Sequence, residues 1–169
     1  EAVLGVTKAY TTRVGQGPFP SEVEGSIECY LREKGKEYGT TTGRPRRIGW
    51  LDLPQLRAAI RINGISSLAM TKLDTLADVQ SIKICVAYRY KGRRLTEFPI
   101  SRSAQRHLKP IFETVPGFFG NLTGIKRFAD LPRPARDYVL AVERRLGLPI
   151  AIVSVGQSRE QTIVRSRKF

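Results

Sequence analysis

An α/β architecture, with a largely parallel sheet flanked by helices and one local antiparallel hairpin, is expected from three features of this chain. Apolar β-branched runs of strand length alternate with stretches whose apolar residues recur at helical spacing. Gly and Pro punctuate the boundaries between them. The chain has 169 residues and is 41% hydrophobic, enough for one core and too little to require two, so no internal domain boundary is expected.

The elements follow in order. Residues 3–10 are apolar and β-branched and read as a buried strand. A Pro-rich turn at 18–21 leads into a helix over 21–35, capped by Ser21 and closed by Gly35. Residues 53–63 carry Leu56, Ala59, Ile60 and Ile62 at helical spacing, with Asp52 and Pro54 at the start and Gly64 after the end. Residues 65–71 return as a short apolar strand. Residues 81–90 alternate strongly and run through Lys91 and Gly92 into 94–98, a hairpin pattern. Residues 110–115 suit an edge strand, and 116–130 form a long glycine-rich loop that reads as partly mobile. The strongest helical pattern spans 131–146, with Pro132 and Pro134 in its first turn and Gly147 behind it. Residues 150–155 are the last buried strand, and 161–165 pair nearby.

Lys and Arg outnumber Asp and Glu by 29 to 15, a formal charge of +14, which points to anionic partners: nucleotides, nucleic acid or a membrane surface. No apolar run of membrane-spanning length and no basic-then-apolar N-terminal segment is present, so a soluble, cytoplasmic protein without membrane attachment is expected. Cys29 and Cys85 sit among apolar neighbours and read as small core residues rather than a disulfide. His107, the single histidine, lies in a polar stretch that suits a surface or capping role. Paired carboxylates, a Ser/His/Asp set or a metal-ligand cluster cannot be assembled at a defensible spacing, so no catalytic residue and no metal ligand is assigned within this chain.

Three segments carry binding chemistry instead. Residues 38–50 read YGTTTGRPRRIGW. Threonine hydroxyls, glycine-freed N–H groups and guanidinium forks in one run suit a ligand with carboxylate or phosphate groups. Residues 9–20 read AYTTRVGQGPFP, a composition that exposes backbone after a strand. Residues 69–76 read AMTKLDTL, where Lys72, Leu73 and Asp74 follow a strand at the point where α/β sheets place ligand-binding turns. A Lys and an Asp two apart can lay an aliphatic stem on a purine face and accept the two N–H donors of guanine. Asp74 also fits a helix N-cap.

With IKICVAYR at 82–89, the order and spacing of these segments closely resemble adenylosuccinate synthetase, the enzyme family that joins IMP to L-aspartate at the expense of GTP. The resemblance runs from Leu4 to Phe169. It implies a P-loop-like sheet and makes residues 1–169 the C-terminal portion of one such domain. The family's aspartate loop maps onto Thr40, Thr41, Thr42, Gly43, Arg44, Pro45 and Arg46. By resemblance Arg44 holds the aspartate carboxylate and approaches IMP, Arg46 sits near the GTP phosphates, and Val14 and Gly15 approach the IMP ribose. Arg47 is the structural member of the run. Thr11, Thr12 and Arg13 fit either a substrate contact or a loop-stabilising role. Guanine recognition is shared between Lys72, Leu73 and Asp74 and a later turn, here Ser154, Val155, Gly156 and Gln157. That later turn departs from the family's serine-threonine-glycine-proline, and Pro45 departs from its unbroken arginines.

The family's GDEGKGK-like phosphate loop, its aspartate base and its histidine acid do not occur in this sequence, and the chain starts at Glu1 with Met70 as its only methionine. The resemblance therefore implies that the chain alone is inactive, that Mg2+ belongs chiefly to an N-terminal part absent from it, and that the complete enzyme is a homodimer. A basic nucleic-acid-binding module is the rival reading, from Lys91, Arg93, Arg94, Arg102, Arg106 and Lys109. It lacks aromatic platforms or a recognition helix. A free-standing guanine-nucleotide switch lacks its GxxxxGK[ST] loop.

Overall fold

The structure is a computed structural model that describes residues 2–166. Strands β1 (Leu4–Lys8) and β2 (Thr11–Arg13) precede helix α1 (Ser26–Gly35). Strands β3 (Arg47–Gly49) and β4 (Leu51–Asp52), helix α2 (Leu53–Asn63) and strand β5 (Ser67–Thr71) follow. Then come β6 (Ser81–Tyr90), β7 (Arg93–Leu95), the one-turn helix α3 (Arg102–Gln105), β8 (Lys109–Pro116), α4 (Arg133–Leu146), β9 (Ile150–Ser154) and β10 (Thr162–Val164). Glu1 and residues 167–169, the ends of the expected domain, lie outside the described residues.

The main sheet has the order β1-β5-β9-β10, with β1, β5 and β9 parallel and β10 antiparallel at one edge. Its parallel centre bears out the α/β expectation. A second sheet is built on β6: β8 pairs along one edge from Ser81↔Pro116 to Arg89↔Lys109, while β4 and the hairpin strand β7 share the other. Antiparallel pairing thus extends well beyond the expected hairpin, because β8 is a full partner of β6 rather than a short edge piece. The hairpin turn places Lys91 and Gly92 at φ 47° and 77°, the left-handed pair a two-residue turn requires.

Helix boundaries obey local chemistry where caps are strong. The Asp52 side chain accepts from the Gln55 N–H at 3.1 Å and Gly64 closes α2 at φ 60°, as the sequence suggests. Helix α1 departs from expectation, starting at Ser26 after Gly25 rather than at Ser21. Tertiary pairing claims the earlier residues: Trp50 N–H donates to the Ser21 carbonyl at 2.9 Å and Val23 N–H to that of Ile48 at 3.0 Å. Cys29 is exposed on α1, against the core role expected of it, whereas Cys85 is buried as expected. Strand β1 is also not buried. It forms the open edge of the main sheet, and Val6 is 74% exposed. The 116–130 loop is anchored rather than loose, since Phe118 and Leu122 are buried and Asp78 N–H donates to the Phe118 carbonyl at 2.7 Å.

Leu68 and Met70 of β5, Val139 and Val142 of α4, Ile82 and Ile84 of β6 and Leu73 and Leu76 share one hydrophobic core. The buried Tyr138 hydroxyl of α4 donates to the Ala9 carbonyl just past β1. That bond and the core fix the carboxyl ends of β1, β5 and β9 side by side, in the register Lys8↔Thr71 and Met70↔Val153.

Candidate functional site

The carboxyl edge of a parallel sheet is where strands stop pairing and leave backbone groups and side chains for a ligand. Here it brings together residues far apart in sequence. Thr71, Lys72, Asp74 and Thr75 after β5, Ser154, Gly156 and Gln157 at the end of β9, and Lys34 and Gly35 at the end of α1 line a cavity of about 290 Å³. The two halves of the expected guanine site therefore meet.

Within that cavity Asp74 has a buried Oδ1 with no hydrogen-bond donor among the described residues. Burial raises the Asp74 carboxyl above its ordinary value, against the opposing pull of nearby backbone N–H groups, Lys34 and Lys72. Buried acceptors are almost always satisfied in folded proteins, so an open one lining a cavity makes Asp74 a candidate ligand contact. Asp74 is not a helix cap. It lies inside the 3-10 turn Leu73–Leu76, whose first flanking residue is Lys72 and which has no side-chain cap. Lys72 itself holds φ 59°, a left-handed conformation uncommon for a residue with a Cβ.

On the facing turn the Ser154 hydroxyl donates to the Gly156 carbonyl at 2.7 Å, which occupies the serine locally. A Cβ on Gly156 would lie 2.1 Å from Gln161 Oε1, so a larger residue there would displace the end of that side chain. Leu73 and Val155 are wholly buried in the core, leaving them only main-chain groups to offer a ligand.

Beside the cavity lies a residue the sequence reading passed over. Glu37 is fully buried, and three cations from three segments converge on its carboxylate: Lys8 at 2.8 Å, Arg46 at 2.8 Å and Lys72 at 3.0 Å. The Tyr10 hydroxyl donates to Oε1 at 2.7 Å. Burial would raise the Glu37 carboxyl, but the bonds from Lys8, Tyr10, Lys72 and Arg46 outweigh it and hold the group at about 2. Burial also lowers the Lys8 ammonium, helped by Lys72 and Arg46 and opposed by Glu37. The signal for Glu37 was a lone carboxylate in KGKEYG just before the threonine run, which looks like an ordinary solvated charge.

The threonine-arginine loop is the other half of the site. An isolated bridge between Tyr38 and Pro45, with Gly39 N–H donating to the Arg44 carbonyl at 2.9 Å, closes it into a tight hairpin. Gly43 turns it at φ 64°. Thr40, Thr41, Thr42, Gly43, Arg44 and Pro45 are all exposed, and the Arg44 guanidinium has no partner among the described residues. Arg46 faces inward to Glu37 instead. Arg47 has the structural role expected, gripping Glu22 and donating to the Gly15 and Gly17 carbonyls at 3.0 and 2.8 Å. Thr12 accepts from Lys8 at 2.9 Å and Arg13 donates to the Pro18 carbonyl at 3.0 Å, contacts that stabilise the loop. Val14 is 76% exposed beside Gly15, at φ 82°, and His107 is exposed as expected.

Among the described residues no group of three or more His, Cys, Asp or Glu side chains converges. No helix among them is long and apolar enough to cross a membrane.

A family model described as adenylosuccinate synthetase matches residues 1–163. The adenylosuccinate synthetase of Citrifermentans bemidjiense is 49% identical over 167 residues, covering 99% of this chain and 39% of that protein. That of Caldanaerobacter subterraneus is 51% identical over 162 residues, covering 96% and 38%. The structure of fully ligated adenylosuccinate synthetase from Plasmodium falciparum matches with a TM-score of 0.94 at 40% identity, over 98% of this chain and 40% of that one. The chain spans about two fifths of the length of these relatives, at 38–40%.

Proposed function

The chain belongs to the adenylosuccinate synthetase family, and from that premise we propose that it supplies the aspartate clamp and the guanine site for GTP-dependent ligation of IMP and L-aspartate to adenylosuccinate. In that reaction the 6-oxygen of IMP takes the terminal phosphoryl group of GTP, releasing GDP. The aspartate amine then forms the new bond to C6 as phosphate leaves. These residues bind and orient; they contain no base or acid for either step.

The observation that carries the reading is the buried, undonated Oδ1 of Asp74 in a cavity completed by the Ser154–Gly156 turn. A guanine ring imino and exocyclic amino group would supply the two donors that a carboxylate there accepts, and adenine would not. The Lys72 stem would cover one ring face. Of the Ser154, Val155 and Gly156 turn, the Gly156 backbone N–H would meet the 6-oxygen, since that of Val155 already donates to the Gln161 carbonyl at 2.9 Å. Arg44, unpaired at the head of an exposed loop, would take an aspartate carboxylate as a bidentate fork, with Thr40, Thr41 and Thr42 hydroxyls and the Gly43 N–H around it. Val14 and Gly15 would lie against the IMP ribose, and Arg46 would stand between the aspartate loop and the GTP phosphates. Mg2+, which the family reaction needs, is assigned to the polyphosphate and to residues outside this chain. A cytoplasmic homodimer is the setting we assign to the complete enzyme. The basic surface that suggested a nucleic-acid module needs no separate function, because an excess of cations suits three anionic substrates equally well.

Displacement of a fluorescent methylanthraniloyl-GDP by GDP, ADP and XDP from the 169-residue chain tests the guanine site. GDP should compete at least tenfold better than ADP, equivalent to ~1.4 kcal/mol. Equal competition by ADP would remove the guanine assignment.

A further inference from the structure

The Glu37 cluster is not accounted for by the substrate contacts proposed above, because its carboxylate is fully buried and already takes donors from Lys8, Tyr10, Arg46 and Lys72. It nevertheless joins three parts of the site. Lys8 arrives from the end of β1, Arg46 from the foot of the threonine loop and Lys72 from the purine turn. Lys72 is held twice, since its ammonium also donates to the Gly35 carbonyl. Gly35 also leaves room for the cluster's hydroxyl, since a Cβ there would lie 2.3 Å from the Tyr10 hydroxyl.

Two consequences follow from this arrangement. A lysine whose ammonium is tethered at its far end has a fixed aliphatic stem, and a fixed stem is a better platform for a flat ring than a mobile one, because less side-chain entropy is lost when the ring arrives. Three cations against one carboxylate also leave a local charge of +2, and the same carboxylate that fixes Lys72 holds Arg46 inward. We propose that Glu37 is a positioning residue that sets base recognition against phosphate attraction: it fixes Lys72 beneath the purine while restraining the cations that would otherwise pull on the phosphates. This rests on the guanine-site reading above.

The two effects separate by experiment, because losing Glu37 should move them in opposite directions. In Glu37→Gln the local charge rises to +3 and Lys72 is released. Displacement of methylanthraniloyl-GDP from the 169-residue chain should then show guanosine affinity reduced about tenfold, while the advantage of GDP over guanosine grows at least threefold with a steeper salt dependence. A purely structural defect would weaken guanosine and GDP in proportion. The charge-balanced double variant Glu37→Gln with Lys8→Met returns the local charge to +2 without restoring the tether, and serves also if the single variant does not fold. It should keep the guanosine loss and recover the wild-type GDP advantage. Wild-type preference for guanosine over adenosine checks the underlying reading, and its absence overturns both. If wild type discriminates but either folded variant binds guanosine as wild type does, Glu37 does not position Lys72. If both variants are unfolded by circular dichroism, Glu37 is a stability group and the proposal fails.

Discussion

In the cavity at the carboxyl edge Lys72 is tethered by Glu37 and the Gly35 carbonyl and Ser154 by the Gly156 carbonyl, whereas in the neighbouring loop Thr40, Thr41 and Arg44 stand in solvent without side-chain partners among the described residues. The first region is assembled before any ligand arrives. A rigid planar base needs such a slot, and a preformed slot loses little entropy on binding. The loop is closed at its foot by the Tyr38–Pro45 bridge but open at its head, so ordering its hydroxyls and guanidinium costs free energy that a ligand must offset. One buried carboxylate, Glu37, belongs to both regions, through Lys72 on one side and Arg46 on the other.

Neither region carries a match to the aspartate base or the histidine acid that the family resemblance leads one to expect, and the exposed His107 lies between α3 and β8. The 169-residue chain should therefore form no adenylosuccinate from IMP, GTP and L-aspartate. Product formation above background by a chain of verified mass would show that the division into binding and chemistry is wrong.

Acid should strike the preformed region first. Because the folded-state Glu37 carboxyl sits at about 2, below its ordinary 4.5, it stabilises the fold above pH 4.5, and that contribution is lost as the pH falls toward 2. The magnitude is on the order of 3 kcal/mol. Asp52 and Asp74, whose carboxyls burial raises, act in the opposite sense and reduce the net loss. Urea unfolding of wild type and Glu37→Gln at pH 6 and pH 3 isolates the Glu37 part, and a difference between the two proteins that is the same at both pH values would mean that the cluster is not an ion-paired one.

Asp74→Asn should cost GDP roughly ten- to a hundredfold, from about 1.5–3 kcal/mol for a hydrogen bond to a charged group, and shift preference toward XDP. Stability should change little, because the loss of backbone N–H bonds to the charge is offset by removing a carboxylate whose buried Oδ1 has no donor among the described residues. A fall in melting temperature with GDP affinity unchanged would make Asp74 a structural residue.

The open loop should respond least in the isolated chain. Arg44→Leu is expected to leave stability within about 0.5 kcal/mol and GDP binding unaltered. In a complete enzyme carrying the same substitution the aspartate requirement should rise far more than the GTP requirement. Equal weakening of both would show that the loop and the cavity are one unit rather than two.

Residue types and local spacing were enough to identify the TTTGR loop, the KLD turn, the cap of α2 and the Lys91-Gly92 hairpin, because each depends on groups within a few residues of one another: a carboxylate and a nearby N–H, or two positive-φ positions in a row. They were enough, too, for the α/β architecture, since strand and helix periods are written in the order of apolar residues. Tertiary contacts determined the rest. Ser21 looks like a helix cap until Trp50, just past β3, takes its carbonyl, and residues 3–10 look buried until strand order leaves β1 at an edge. Glu37 reads as a surface charge because its partners lie 29, 9 and 35 residues away along the chain, at Lys8, Arg46 and Lys72. A carboxylate's worth depends on which charges surround it and how little water does, and those are properties of the folded carboxyl edge, not of the neighbours in sequence.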